Sequence, residues 1–578
     1  MDNQRNMILA IVLSALVLIG WTALSERFFP QPKAPVTATA PGTVTGAGMP
    51  APTVQVAPKR VLRDVKAVLA AGNRVSIETP RLSGSINLKG AQIDDLLLPT
   101  YRETVNKSSP AVRLLSPSGA VNSYYAGFGW SGDGASVPGA NTIWSADATK
   151  LTPETPVTLS WDNGAGQTYR IKLSVDANYM FTIDQSVTNS GASAFAARSY
   201  SYVSRVKGAH MGGSLLAPSK DVDSWTMHIG PIGTFNDKAN YEVDYADVDE
   251  AGTGGMRFAT NGGWLGFGET YWLTALVPAK GTNVDTGFRS GNGAYQAEFS
   301  TPQVIVGPGK TVSAKSHFFA GAKEVRTLDV YEESLGIPLF GKAIDWGWFE
   351  LIEKPIFYYL DWLFKMVGNF GVAIILLTLT VRGLMFPIAQ RQFASMAAMR
   401  VVQPKLKALQ ERFKDDKPKL QQEMMALYKK EKINPMAGCL PIFLQIPVFY
   451  ALYKVLMLTI EMRHQPFALW IHDLSAPDPA TVLNLFGLLN FTPPSFLALG
   501  IFPIILGITM FLQFKLNPAP MDPIQQQMFS IMPWVMMFMM APFAAGLQLY
   551  WIMSNVLTIA QQKWLYSKHP ALKEPVKT

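Results

Sequence analysis

The chain has 578 residues, too many for one simple domain, and 48% of them are apolar while only 16% are charged. Soluble domains carry roughly 25% charged residues, so an ordinary soluble protein is excluded and a membrane protein with a water-exposed part is expected. The net charge of +8 gathers in loops beside apolar runs, as the preference for cytoplasmic Lys and Arg demands, and does not by itself indicate a nucleic-acid partner. The single cysteine, Cys439, rules out an internal disulfide.

Residues 7–24 form a continuous apolar run after the polar start MDNQRN. The run exceeds the core of a signal peptide, roughly 7–15 residues, and no small-x-small cleavage site follows it. An uncleaved anchor within residues 1–27 is expected, with Arg5 favouring a cytoplasmic N-terminus. Residues 28–58 are rich in Pro, Ala, Thr, Val and Gly, lack periodicity and read as a linker.

Over residues 59–340 the composition changes. Strand-like alternation at 74–79 (RVSIET), 168–174 (TYRIKLS) and 180–187 (MFTIDQSV), with Gly, Pro, Asn and Asp clusters between, predicts a large β-sandwich. Trp130, Trp161, Trp225, Trp264, Tyr271 and Trp272 are expected in its core. No zinc, nucleophile or phosphate-loop motif occurs there, and His210 and His228 have no partner pattern. No catalytic residue, metal or cofactor is expected.

Residues 346–365 are amphipathic. Phe349, Ile352, Ile356, Leu360 and Leu363 recur at helical spacing, with Glu353, Asp361 and Lys365 off the stripe. A helix lying in the membrane interface is expected over 341–366. Residues 370–387 (FGVAIILLTLTVRGLMFP) are long enough for a hydrocarbon core of roughly 30 Å, and a second span is placed at 367–389. Arg382 lies inside it. A charge at that depth costs roughly 2.5–17 kcal/mol. Either it snorkels to the headgroups or it lines a polar cavity. Thr378, four residues earlier on the same helix face, favours the cavity.

Residues 390–434 carry eleven Lys or Arg and are expected in the cytoplasm. Val402, Leu406, Leu409 and Phe413, then Leu420, Met424 and Leu427, give two helical rhythms about a turn at 415–418. They predict a helical hairpin whose basic face suits anionic lipid, ribosomal RNA or simply water. Residues 435–566 hold four more spans: 439–459, 498–514, and two within 528–566 separated by a turn at 542–546. That makes about six spans. The basic tail 567–578 then falls in the cytoplasm with the N-terminus, and the β-domain lies outside. Gln548, Asn555, Thr558 and Gln562 share a face of the last span with Ser554 beside it, and Gln445 adds a polar group to the 439–459 span. Each suits an interhelical hydrogen bond worth roughly 0.6–2 kcal/mol. Taken with Arg382, they predict a shared hydrophilic groove lined by Arg382, Thr378, Gln445, Gln548 and Asn555.

Five stretches carry a resemblance: VRGLMFP (381–387), SMAAMRVVQPKLKALQERF (395–413), NPMAGCLPIFLQIPVFYALY (434–453), LWIHDLSAPDP (469–479) and AGLQLYWIMSNVLTIAQQ (545–562). In this order they resemble the YidC membrane protein insertases of Gram-negative bacteria. The resemblance implies a multi-span α-helical membrane protein with a five-helix insertase core and a periplasmic β-supersandwich. It implies a cytoplasm-open groove whose signature arginine is Arg382, and a substrate helix sliding along 439–459 and 545–562. Ile446, Pro447, Phe449, Tyr550 and Trp551 are carried over as its contacts. The implied partners are nascent membrane proteins, Sec translocon components, a ribosome or targeting factor at the hairpin and tail, and membrane lipids, all at the bacterial inner membrane. The implied work is insertion and chaperoning, without bond-making chemistry. Residues 483–495 are assigned no function. Two other readings stay open. A transporter using Arg382 for an anion would show internal repeats, and none is visible. An anchored sugar-active enzyme would bring carboxylates together in the β-domain.

Overall fold

The structure, a computed structural model, describes residues 64–207, 227–413, 416–431, 440–486, 489, 498–516 and 523–568. The expected anchor 7–24, the linker 28–58, His210, Trp225, Cys439 and nearly all of the tail lie outside the described residues. All described residues belong to one compact unit, 54–578.

Two sheets face each other. Among the described residues the first has eleven strands, with Met256–Asn261, Asn283–Gly291, Ala294–Ser300, Phe195–Val206, Tyr124–Asp133, Gln92–Arg102, Ser83–Asn87 and Arg74–Glu78 neighbouring in that order. The second has nine, running Gly230–Phe235, Trp264–Gly268, Trp272–Pro278, Lys310–Ala322, Met180–Asn189, Gln167–Val175 and Val157–Asp162. Gln167–Val175 buries every second residue, the mark of a strand with one wet face. Trp272–Pro278 is buried throughout. Across the gap Tyr124 meets Phe267 edge-on at 6.4 Å, and its hydroxyl lies 2.5 Å from Thr274 Oγ1. Trp130, Trp264, Tyr271 and Trp272 are core residues, while Trp161 is half-buried. His228 is buried, with Nε2 2.8 Å from the Pro231 carbonyl.

The helices are α1 (Val65–Leu69), α2 (Tyr245–Ala251), α3 (Val325–Ser334), α4 (Glu350–Val367), α5 (Phe370–Leu384), α6 (Phe386–Arg412), α7 (Lys417–Lys430), α8 (Leu440–Leu458), α9 (Ile501–Leu516), α10 (Pro523–Met540) and α11 (Ala545–Lys568). One correction concerns α4. In α4, Glu353 and Asp361 point inward and are buried, whereas Trp348 and Leu351, just before and within it, and Trp362 and Met366 are exposed. The two carboxyl groups lie among the buried Phe357, Leu360 and Leu363, and Asp361 is held there because it accepts from Arg326 of α3 at 2.6 Å and from Lys365 at 2.8 Å. The expected hairpin is α6 against α7, with Val402 and Leu406 packed on Met424, Leu427 and Tyr428, and α6 follows directly on the end of α5. Among the described residues no helix is long and apolar enough to cross a membrane. The fifteen residues of α5 rise roughly 22 Å, short of a core of about 30 Å.

The sheets and helices share one apolar core. A short segment after α8 pins them together. Arg463 donates to the carbonyls of Arg102 (2.8 Å) and Glu103 (3.2 Å) at a strand end, and its guanidinium covers Trp272 and Tyr271 at 5.5 and 5.8 Å. Glu461 accepts from the Val325 backbone at the start of α3 (3.0 Å). Lys454 of α8 donates to the Asp345 carbonyl at 2.7 Å.

Beside this contact, Glu324 accepts from Arg81 (2.6 Å), Tyr101 (2.7 Å), Tyr179 (2.8 Å) and Thr327 (2.7 Å). Burial alone would raise its pKa, but the bonds from Thr327, Tyr101 and Arg81 outweigh it and hold the carboxyl below its usual 4.5. A lowered pKa stabilises the fold above the unfolded value and loses that contribution as pH falls through the folded one. Glu324→Gln is therefore expected to lower stability by roughly 1–3 kcal/mol near neutral pH, with the deficit shrinking in acid. Thermal unfolding of both proteins at two pH values checks this, and an equal deficit at both would contradict it.

Candidate functional site

The site is set by caps and a loop at one end of its helices. α4 stops at Gly368, whose φ of +70° suits glycine and whose N–H closes on the Phe364 carbonyl at 2.7 Å. Asn369 then caps α5, accepting from Val372 N at 3.0 Å, and ties it to the Phe467 carbonyl at 2.8 Å. The loop 469–479 orients two more helices. Its Leu474 and Ala476 carbonyls take the N–H groups of Gly546 (2.9 Å) and Ala545 (2.8 Å), two of the otherwise unpaired donors at the start of α11. Asp478 accepts from Phe502 N in the first turn of α9 (2.7 Å) and from Trp470 Nε1 (3.0 Å).

Arg382 stands in the last turn of α5. Its Nε donates to Ser554 Oγ of α11 at 3.0 Å, and Nη2 donates to the same oxygen. Among the described residues no carboxylate pairs with it. One turn earlier on α11, the Tyr550 hydroxyl accepts from Gln445 Nε2 of α8. Arg382 and Gln445 thus converge on one face of α11, at Ser554 and Tyr550.

The other three expected groove residues are used elsewhere. Thr378 is fully buried and its hydroxyl donates to the Ile374 carbonyl of its own helix at 2.7 Å, while the bonds of Arg382 go to Ser554. Gln548 donates to the Met540 and Phe543 carbonyls at 2.9 and 2.8 Å and closes the turn from α10 into α11. Asn555 faces α9, donating to Thr509 Oγ1 at 3.2 Å. Thr558 donates to the Ser554 carbonyl at 2.7 Å.

Of the residues carried over as substrate-helix contacts, Ile446 is 56% exposed on α8 and Pro447 half-buried. Phe449 meets Trp551 edge-on at 4.9 Å, bridging α8 and α11. Tyr550 is a correction: it is 1% exposed and its hydroxyl is bonded by Gln445, so it presents almost no surface for such a contact. The sequence reading missed the outward face of α10, where Met528, Ile531, Trp534, Val535, Phe538 and Met539 are all exposed. Their helical spacing was visible, but a lipid face and a docking face look alike in sequence.

Two family models match the chain: the YidC periplasmic domain at residues 74–359 and the 60Kd inner membrane protein at 362–573. The membrane protein insertase YidC of Zymomonas mobilis subsp. mobilis is 50% identical over 576 residues, covering 99% of this chain and 96% of that protein. The membrane protein insertase YidC of Methylobacterium nodulans is 45% identical over 601 residues, covering 98% and 96%. A crystal structure of an active YidC insertase with its first transmembrane domain resolved aligns at 17% identity and a TM-score of 0.37, covering 87% of this chain and 93% of that one.

Proposed function

The chain belongs to the YidC family of membrane protein insertases, and from that premise we propose how its residues do the work. It is an inner-membrane insertase with a periplasmic β-domain. The helices α5, α8, α9, α10 and α11, with the anchor 7–24, make about six spans, both termini lie in the cytoplasm, and the sheets lie in the periplasm. The substrates are nascent membrane proteins. Sec translocon components are proposed partners, as is a ribosome or targeting factor at the α6–α7 hairpin and the basic tail. Membrane lipids contact the exposed apolar residues around α4 and α10.

The observation that carries the mechanism is Arg382. Its guanidinium is countered by no carboxylate among the described residues and is held by a neutral hydroxyl. Moving a polar tail across a bilayer costs mainly its desolvation. A polar cluster at the half-buried Arg382 and Gln445, backed by the buried Ser554 and Tyr550, shortens the dry path, and a fixed cation attracts an acidic segment. Arginine keeps its charge at any relevant pH, which a buried lysine does not. Meanwhile the apolar helix of the substrate leaves along the exposed side of α8, past Ile446. The work is transfer rather than bond-making. Its driving force is burial of that helix plus the membrane potential, about 2.3 kcal/mol per charge per 100 mV.

The test is reconstitution into proteoliposomes with a one- or two-span substrate whose translocated tail is read by protease protection. Wild type is expected to protect the tail and Arg382→Ala to lose most of that protection. Equal protection by both would remove Arg382 from the mechanism.

A further inference from the structure

We infer that Ser554 is the positioning residue for Arg382: it holds the inner edge of the guanidinium and leaves the outer edge to face an acidic segment of the substrate. The inference rests on the groove reading above and extends it to a second residue.

The argument is a count of donors. A guanidinium has five N–H groups in a rigid fork. One from Nε and one from Nη2 go to the single oxygen of Ser554, and the two atoms lie on the same edge of the fork. Three N–H groups remain, on Nη1 and the outer side of Nη2. Among the described residues no acceptor takes them, and none of those nitrogens is buried without a partner. That outer edge matches the two oxygens of a carboxylate, the geometry in which arginine binds most selectively. An arginine on a flexible stem would present any edge. Here the orientation is set from α11, because Ser554 is buried and its own backbone carbonyl is fixed by Thr558 at 2.7 Å. Tyr550, one turn away, is fixed by Gln445, so the face that carries Ser554 is anchored at two levels. A hydroxyl is the suitable holder. A carboxylate in its place would neutralise the charge that is to act on the substrate, and an alkyl group would let the fork swing.

The experiment uses the full chain in proteoliposomes of defined phospholipid, with two substrates that differ only in the translocated tail, one with acidic residues and one with their amides. The quantity read is the ratio of initial insertion rates, acidic over neutral. Arg382→Ala is expected to lower the ratio several-fold, and Ser554→Ala to lower it to a similar level. Ser554→Thr keeps an acceptor oxygen and is expected to restore the ratio to within about twofold of wild type. The double variant Arg382→Ala/Ser554→Ala is expected to fall no further than Arg382→Ala alone, since residues acting as one unit are not additive. A ratio unchanged in Ser554→Ala but lowered in Arg382→Ala overturns the role of Ser554 and leaves the groove reading intact, including the case where Ser554→Ala slows both substrates equally. A ratio unchanged in Arg382→Ala overturns the groove reading and this inference with it. Should Ser554→Ala fail to fold, Ser554→Cys, which keeps the size but weakens the acceptor, is read in its place with the same outcomes.

Discussion

Replacing Arg463 by alanine is expected to loosen the β-domain from the helices at a cost of about 3–5 kcal/mol. The side chain is buried, and its two donors reach the carbonyls of Arg102 and Glu103. Each bond from a charged donor contributes roughly 1.5–3 kcal/mol, and deleting the donor leaves both oxygens desolvated. The contacts over Trp272 and Tyr271 add about 1 kcal/mol. The cost is large because the contact is not replaceable by water: the two rings are core residues of the sandwich. Arg463→Lys is expected to recover less than half of it. A single ammonium cannot serve two carbonyls while lying flat on two rings. Thermal unfolding in detergent reads the result. Wild type should melt with sheets and helices coupled, since one apolar core joins them, while the alanine variant should show the two parts melting separately. A variant that melts in one step within about 1 °C of wild type would show that the segment after α8 carries no part of the docking.

What the chain revealed before its structure follows from how local each signal is. Gln167–Val175 was legible because one face is wet and the alternation survives. Trp272–Pro278 was not, because a strand buried on both faces has no alternation to read. The turn between α10 and α11 was written beside the runs it delimits, whereas the cap Asn369 fell inside the expected span 367–389. Glu353 and Asp361 were misplaced toward water for the opposite reason. Arg326, the partner that brings Asp361 inside, lies 35 positions away on another helix. Thr378 was read from its i, i+4 spacing to Arg382, a pattern that does not reveal that its hydroxyl bonds its own backbone. Arg382 announced itself by cost alone, but its acceptor, Ser554, is 172 positions distant. No periodicity finds such a partner. Likewise Asp478 caps α9 across 24 residues, so nothing next to the helix signalled it. The likeness of whole motifs to a known family supplied what local patterns lacked, at the level of the groove rather than of its individual bonds.

The same junction is expected to respond to pH through Glu461. One carboxylate oxygen accepts from Val325 N, and the other is buried without a partner. Burial first, then the nearby charges of Glu324 and Asp361, raise its pKa from 4.5 to about 7, against the lowering effect of the backbone bonds. A raised folded pKa means that the folded state binds the proton more tightly than the unfolded one. The contribution is fully present below about 4.5 and is lost as pH rises to about 7. The charged form is thus a strain, worth up to roughly 3 kcal/mol. Glu324, whose pKa is lowered, works in a separate window: its contribution is lost only as pH falls below 4.5. Both effects together place the most stable docking near pH 4.5, where the two windows meet. Glu461→Gln keeps an acceptor for Val325 N and removes the charge, so it is expected to gain stability at about pH 8 and little at about pH 5. Thermal unfolding of wild type and variant at both values decides the matter. A pH dependence in the Gln variant as steep as that of wild type between them would mean that another group titrates there. If the flattening is seen, the insertase holds a carboxylate three residues beyond α8 in an unfavourable charge state at neutral pH, and the grip of the β-domain on that helix tightens as pH falls toward about 4.5.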